Sequence, residues 1–483
     1  MTSTSTSTSA GPSAAAATSG SVHHEDHPPQ PPPAKRQRRE HDCAAPTTAS
    51  AEVNGDGSAE KTGGGGGGEG KGKKQRVPVV FRSEAYEAAL SQPFPVCVSP
   101  PDYARGLFLA PMVRIGTLPT RLLSLRYGAD LVWGPEIVDR AIMAAERKVD
   151  PRTGLVDFLK DGKSVFSTHP VEKSRLIFQL GSASPAQAYE AIRVVADDVA
   201  GVDLNCGCPK PFSTSGGMGA NLLTTPDILC NVLRAMRHAA PPHVAVTCKI
   251  RLLPTQEDTI RLVRQIVQTG VINAITIHCR TKEMRPREPA LLHRFREVAA
   301  AIKDESQGRL PIVVNGDCWS AEDEAKHKEL TGASSIMMAR GAELNPSVFR
   351  REGKLSVPDI VAPEYVRYAM YFNNPWGNTK YCLGQLNFKD RANFEHEHAG
   401  DQRQDRTHDS EGDGGDIKHM TRSELIKLRE TVMSCTTYAQ MAAAFGLDYE
   451  SECVRVPEDM LAEVALAMAR LNERSRGGGE GVA

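Results

Sequence analysis

Eight short apolar runs, spread between residues 107 and 338, constrain this chain more than any other feature. They cover 107–110, 129–132, 176–180, 202–204, 244–249, 274–278, 311–315 and 335–338. Most are continuous rather than alternating, the pattern of strands covered on both faces. Between them, segments such as 185–199 and 256–268 space their apolar residues at the helical period. Eight such units over about 240 residues match the size of a TIM (β/α)8 barrel, an α/β fold. A doubly wound open sheet competes with it, and periodicity alone does not separate the two.

The strand ends favour the barrel. Pro111-Met112-Val113, Glu136, Gln179, Asn205, Lys249, His278, Asn315-Gly316 and Ala339-Arg340 all fall at or just past C-terminal ends. One such residue would only satisfy a buried hydrogen bond. A polar group at nearly every end fits a barrel, where these ends converge on one face. The last two units read as a phosphate site. Asn315-Gly316-Asp317 turns out of the seventh run, and Ala339-Arg340-Gly341 ends the eighth. Small residues let backbone N–H groups approach an anion, and Arg340 can grip it as a fork. No Walker-type or dinucleotide-binding glycine pattern follows a strand. A flat, phosphorylated cofactor such as a flavin fits the set, with Lys249 supplying positive charge beside the ring.

Asn205-Cys206-Gly207-Cys208-Pro209 closes the fourth run. A cysteine at a strand end, followed by rigid proline and a small-residue loop, is placed to face a ligand. It can be a metal ligand, a nucleophile, an acid or core. No second Cys/His pair stands nearby to complete a tetrahedral site, so no metal is expected. The 11 cysteines contain no Cys-x-x-Cys pair. In a chain without a signal peptide they read as reduced.

The hydrophobic content of 40% is low, and the first residues explain it. Residues 1–78 are Ser/Thr/Ala/Gly/Pro tracts that cannot bury a core, and read as a disordered tail. Lys35-Arg36-Gln37-Arg38-Arg39 and Lys71-Gly72-Lys73-Lys74-Gln75-Arg76 read as a nuclear signal, an RNA-contacting arm or a plain solvated charge run. The net charge is -1, with 58 basic and 59 acidic residues, so any basic surface is local. No segment approaches the roughly 20 apolar residues of a membrane span. The expected divisions are the tail at 1–78, the barrel at 100–355 and a helical domain at 356–475. An acidic, His-rich insertion near 389–418 interrupts the last.

Together these segments resemble the tRNA-dihydrouridine synthases, most closely their eukaryotic dihydrouridine(20) branch. The carriers are Leu109-Ala110-Pro111-Met112-Val113-Arg114-Ile115-Gly116, Val202-Asp203-Leu204-Asn205-Cys206-Gly207-Cys208-Pro209-Lys210, Lys249-Ile250-Arg251-Leu252-Leu253 and Asn378-Thr379-Lys380-Tyr381-Cys382. The resemblance implies FMN held by the opening segment Pro111, Met112 and Val113, and by Gln179, Asn205, Lys249 and His278. Its phosphate would lie on Asn315, Gly316, Asp317, Ala339 and Arg340. It implies Arg251 towards a substrate uridine and Cys208 as the catalytic acid, with NADPH or NADH as reductant. The product would be dihydrouridine in a tRNA D-loop, at position 20. The helical domain would contact tRNA. Branch members from animals add a C-terminal double-stranded-RNA-binding domain, for which the residues after the helical region are too few.

A thiol suits that role, being mostly protonated near pH 7 with an ordinary pKa of about 8.5. Cys206 departs from the family pattern, as does Cys279, and alternation along the strand end turns Cys206 into the packing. A flavin barrel reducing a free small molecule is the alternative. A catalytically silent RNA-binding barrel is the third reading. The expected state is a monomer without membrane association, in cytoplasm, nucleus or both.

Overall fold

The computed structural model describes residues 81–390, 420–451 and 457–477. The expected tail, and the insertion near 389–418 beyond its first residues, lie outside the described residues. Among the described residues, eleven strands form two sheets. β1 (Leu107–Leu109), β2 (Leu131–Val138), β6 (Leu176–Gly181), β7 (Gly201–Cys206), β8 (Ala245–Arg251), β9 (Ala274–His278), β10 (Ile312–Asn315) and β11 (Ser335–Met338) close into a barrel. Every pairing in it is parallel, and β1 meets both β2 and β11. The eight expected runs are its eight strands, and closure excludes the open sheet.

Side-chain alternation splits each strand between two environments. Val202, Leu204, Cys206, Val246, Cys248, Ile275 and Ile277 face the helices and share the large outer core. The other parity points inside the barrel. At its base Tyr103, Phe108, Trp133, Ile177, Ala245, Val313 and Met337 form a separate apolar plug. Further along the same strands the inward positions become polar: Gln179, Asp203, Asn205, Thr247, Lys249, His278 and Asn315. Neighbours in register are Gln179 with Asp203, Asn205 with Lys249, Arg251 with His278, and His278 with Asn315. The barrel is therefore dry at one end and polar at the other.

The connecting helices are capped locally. Ser184 accepts from Gln187 N ahead of helix Pro185–Val195, and Thr255 accepts from Asp258 N ahead of Gln256–Gln268. A small antiparallel sheet, β3 (Glu146–Val149), β4 (Val156–Lys160) and β5 (Lys163–Thr168), interrupts the β/α alternation after β2. Its Phe166 packs edge-on to Phe178 of β6, ring centroids 5.0 Å apart. Gly134 makes room for that ring, since a Cβ there would lie 3.0 Å from it. Arg121 and Glu172 form a fully buried ion pair at 2.6 Å beneath this sheet.

Beyond the barrel the chain is helical: Ala362–Tyr371, Trp376–Gln385, Arg422–Ser434, Tyr438–Ala444 and Pro457–Gly477. The last of these packs on barrel helix Leu118–Arg126. Arg126 bridges Glu364 and Glu463, tying the two regions together by charge. Among the described residues no helix is long and apolar enough to cross a membrane.

Candidate active site at the barrel mouth

The Cys-x-Cys segment divides as the strand leaves the sheet. Cys206 is the last residue of β7, fully buried, with its thiol towards the Leu204 carbonyl at 3.7 Å. Cys208 lies two residues past the strand and is only partly buried. The Asn205 amide shapes this turn, since its Oδ1 accepts from Gly207 N at 2.9 Å and Cys208 N at 3.0 Å. Arg251 closes the other side: its Nε donates to the Gly207 carbonyl at 2.6 Å and its Nη1 to the Thr281 carbonyl at 3.0 Å. Burial pushes the Cys208 thiol up to about 11, and the nearby Glu136 charge adds to the shift. At neutral pH this is a thiol.

Lys249 stands beside Asn205 on β8, with Asp203 one layer deeper. Asp203 is fully buried, accepting from Gln179 Nε2 at 2.8 Å and Thr247 Oγ1 at 2.7 Å. Burial raises its carboxyl to about 6 despite those bonds and the Lys249 charge. Burial also lowers the Lys249 amine to about 8, with the Arg251 charge adding to the effect. His278 is held well below its ordinary range by burial and by the charges of Lys249, Arg251, Arg280 and Arg340. It is a neutral imidazole among cations.

A pocket opens over the ends of β8 to β11. Arg251, His278, Asn315, Gly316, Asp317, Ala339 and Arg340 line it, with Arg280, Met284, Pro286, Cys318, Trp319 and Met337. Gln179, Asn205, Lys249 and Cys208 lie beside it on β6–β8, outside that lining. Pro111 and Met112 are partly buried on the loop after β1, while Val113 is 47% exposed. The expected set therefore falls into three neighbouring groups.

Asp317 anchors the pocket floor. It pairs with both Arg280 and Arg340 and accepts from Ala290 N at 2.6 Å. Arg340 also donates to the Pro286 carbonyl at 2.7 Å and stacks on Trp319, 4.6 Å from the ring centre. Two guanidinium groups against one carboxylate leave a net positive charge. The Asp317 side chain orients the arginines, so its side-chain oxygens are already engaged. Gly341 lets the two loops meet, because a Cβ there would lie 2.3 Å from the Trp319 carbonyl oxygen.

Sequence reading missed Arg280, Trp319 and the small sheet. A cation two residues past a strand end and an aromatic just after Asn-Gly-Asp were the available signals. Glu136 was noted at a strand end without a role. The structure sets it against the Cys208 loop, its Oε1 accepting from Ser213 Oγ at 2.7 Å.

A closed parallel barrel with a polar, cation-rich mouth over a dry base defines a TIM-barrel protein with its site at the C-terminal face. The chain belongs to the dihydrouridine synthase (Dus) family, whose sequence model matches residues 108–385. It is 50% identical over 292 residues to the tRNA-dihydrouridine(20) synthase [NAD(P)+] of Schizosaccharomyces pombe, a match covering 59% of this chain and 60% of that protein. It is 41% identical over 302 residues to the tRNA-dihydrouridine(20) synthase [NAD(P)+] of Saccharomyces cerevisiae, covering 59% of this chain and 77% of that protein. Identity falls to 30% over 279 residues with the Saccharomyces cerevisiae tRNA-dihydrouridine(20a/20b) synthase [NAD(P)+], covering 58% of this chain and 66% of that protein.

Proposed function

We propose that this protein reduces the C5=C6 bond of uridine 20 in tRNA to dihydrouridine, with FMN as cofactor and NAD(P)H as reductant. The observation that carries the reading is the 50% and 41% identity with two proteins named as tRNA-dihydrouridine(20) synthases. Family membership also favours it over reduction of a free small molecule.

The donor set suits FMN. Gly316, which its φ of +140° and the 2.9 Å approach of a Cβ to Ala290 require to be glycine, lines the cation-rich pocket. Arg340 and the backbone of Asn315, Gly316, Asp317 and Ala339 would hold the FMN phosphate. Gln179, Asn205, Lys249 and His278, with Pro111, Met112 and Val113, would hold the ring system. FMN, when bound, supplies hydride to C6 of the uracil ring.

This chain's residues do the rest. Lys249, still charged at neutral pH, stabilises negative charge near the ring. Arg251, fixed by two carbonyls, faces the uridine. Cys208 delivers a proton to C5, and burial keeps that proton on sulfur until the base arrives. The base leaves its stack to reach this mouth. The region 356–475 would contact the tRNA beyond the target base. That region lies beside the barrel mouth, with the Arg114 guanidinium of the loop after β1 3.6 Å from the Tyr381 ring centre.

The test is to map dihydrouridine in tRNA from cells with and without the gene, complemented by Cys208→Ala or Cys206→Ala. We expect loss at one uridine, rescue by Cys206→Ala and none by Cys208→Ala. Unchanged tRNA after gene loss would overturn the reading. Purified protein should be yellow, and failure to take up FMN would remove the cofactor assignment.

A further inference from the structure

Each turnover of the reaction proposed above takes one proton from Cys208, so the thiol must be kept loaded and then reloaded. Glu136 stands on β2 just after a break in register with β6, paired with Gln179. It is 7% exposed. Its Oε1 accepts from Ser213 Oγ at 2.7 Å, and Ser213 belongs to the loop that follows Cys208. That loop folds back on the cysteine, with Ala220 N donating to the Cys208 carbonyl at 2.9 Å. Gly219 permits the fold. Its φ is +59°, and a Cβ there would lie 2.3 Å from Ser213 Oγ and 2.5 Å from the Cys208 oxygen. The second oxygen of Glu136, Oε2, is buried with no hydrogen bond of good geometry. Besides Ser213, the groups acting on this carboxyl are the Cys208 thiol and the Asn205 amide. Buried carboxylate oxygens are seldom left in this state, and here the neighbouring group is an acid that must be recharged.

We propose that Glu136 is a positioning residue for Cys208, holding it as a thiol and returning its proton after each turnover. The inference rests on Cys208 being the proton donor. In the donation the S–H bond breaks and a C5–H bond forms, leaving a thiolate beside Glu136. Glu136, a carboxylate while the thiol is loaded, then takes a proton from solvent and passes it to sulfur, ending as the carboxylate again. No electrons change hands in this exchange.

The electrostatics agree in direction. Burial raises the Glu136 carboxyl, against the bonds from Ser213, Cys208 and Asn205. The thiol stands near 11, raised by burial first and by Glu136 second, while the Lys210 N–H and Arg251 pull it down. The charged groups facing the thiol are Glu136 from β2 and Arg251 and Lys249 from β8. Glu136 is the negative one among these, so of these charges it is the one that adds to burial in favouring the protonated sulfur. A carboxylic acid beside a thiolate of that basicity gives up its proton downhill.

The experiment is the pH dependence of Cys208 alkylation by iodoacetamide, read on the Cys208 peptide by mass spectrometry in the full-length protein. Wild type, Glu136→Gln and Glu136→Asp are compared. We expect a wild-type midpoint above the roughly 8.5 of a free thiol. Glu136→Gln should lower it by about one unit or more. Glu136→Asp, which keeps the charge, should stay nearer wild type. An unchanged midpoint in Glu136→Gln overturns the proposal, and so does a drop in Glu136→Asp as large as that in glutamine. A wild-type midpoint at or below 8.5 overturns it without any variant. The readout needs neither tRNA nor reductant, so it stands apart from failure of the tRNA assay.

Discussion

The buried Arg121–Glu172 pair ties the candidate site to the stability of the barrel, and its removal has a calculable cost. Arg121 donates through Nε and Nη2 to the two Glu172 oxygens at 2.9 and 2.6 Å. Its remaining hydrogen bonds go to the Gly116 and Ser167 carbonyls, each at 2.7 Å. Both side chains are out of solvent, at 1% and 0% exposure. Arg121→Met keeps the volume and removes all four bonds. Glu172 would then be a buried carboxylate with Thr168 Oγ1, at 2.8 Å, as its remaining side-chain donor. Breaking a buried pair from one side costs about 3–5 kcal/mol, mostly from the uncompensated charge. The assay is urea unfolding at constant flavin content. The loss should vary little with salt, because a buried pair is poorly screened. Replacing both residues, Arg121→Met with Glu172→Met, should cost less than the single change, since no charge is left stranded. A single-variant loss below about 1 kcal/mol, or a double variant weaker than the single, would refute the reasoning. The Gly116 bond adds a functional consequence. It steadies the loop after β1, so Arg121→Met should also weaken FMN binding.

Lys249 gives a pH signature. Its folded value of about 8 lies below the ordinary 10.5, so between those values the unfolded chain holds more protons. The stability of wild type relative to Lys249→Met should therefore rise with pH across that window in flavin-free protein, and a flat difference would contradict the burial argument. Gly341→Ala forces a Cβ to within 2.3 Å of the Trp319 carbonyl oxygen. We expect about 1–3 kcal/mol of destabilisation and FMN affinity down about tenfold or more, measured by flavin fluorescence titration. Deleting residues 1–78 should lower tRNA affinity and flatten its salt dependence, because Lys/Arg–phosphate contacts release counterions. Equal affinity and slope would assign those basic clusters another role.

How much of the site could be read in advance differs residue by residue. Gln179, Asn205, Lys249 and His278 were legible because they end apolar runs. The hairpin of β4 and β5 was also written in the chain and went unread. Asp161-Gly162, flanked by alternating residues, is a two-residue turn, and its φ values of 50° and 71° suit such a connection. The pairing of Arg280 with Asp317 was not legible, because nothing local says that a cation past β9 will reach a carboxylate past β10.

The sequence alone determined the eight strands, their burial on both faces and the polar residues at their ends. These follow from local hydrophobic pattern, which acts over a few residues and is visible in one dimension. Closure of the barrel, the Arg280–Asp317–Arg340 cluster and the contact of Glu136 with the Cys208 loop came only with the tertiary structure. Each depends on strands far apart in the chain arriving in a fixed register. That register is set by packing across the whole barrel, and by no single segment.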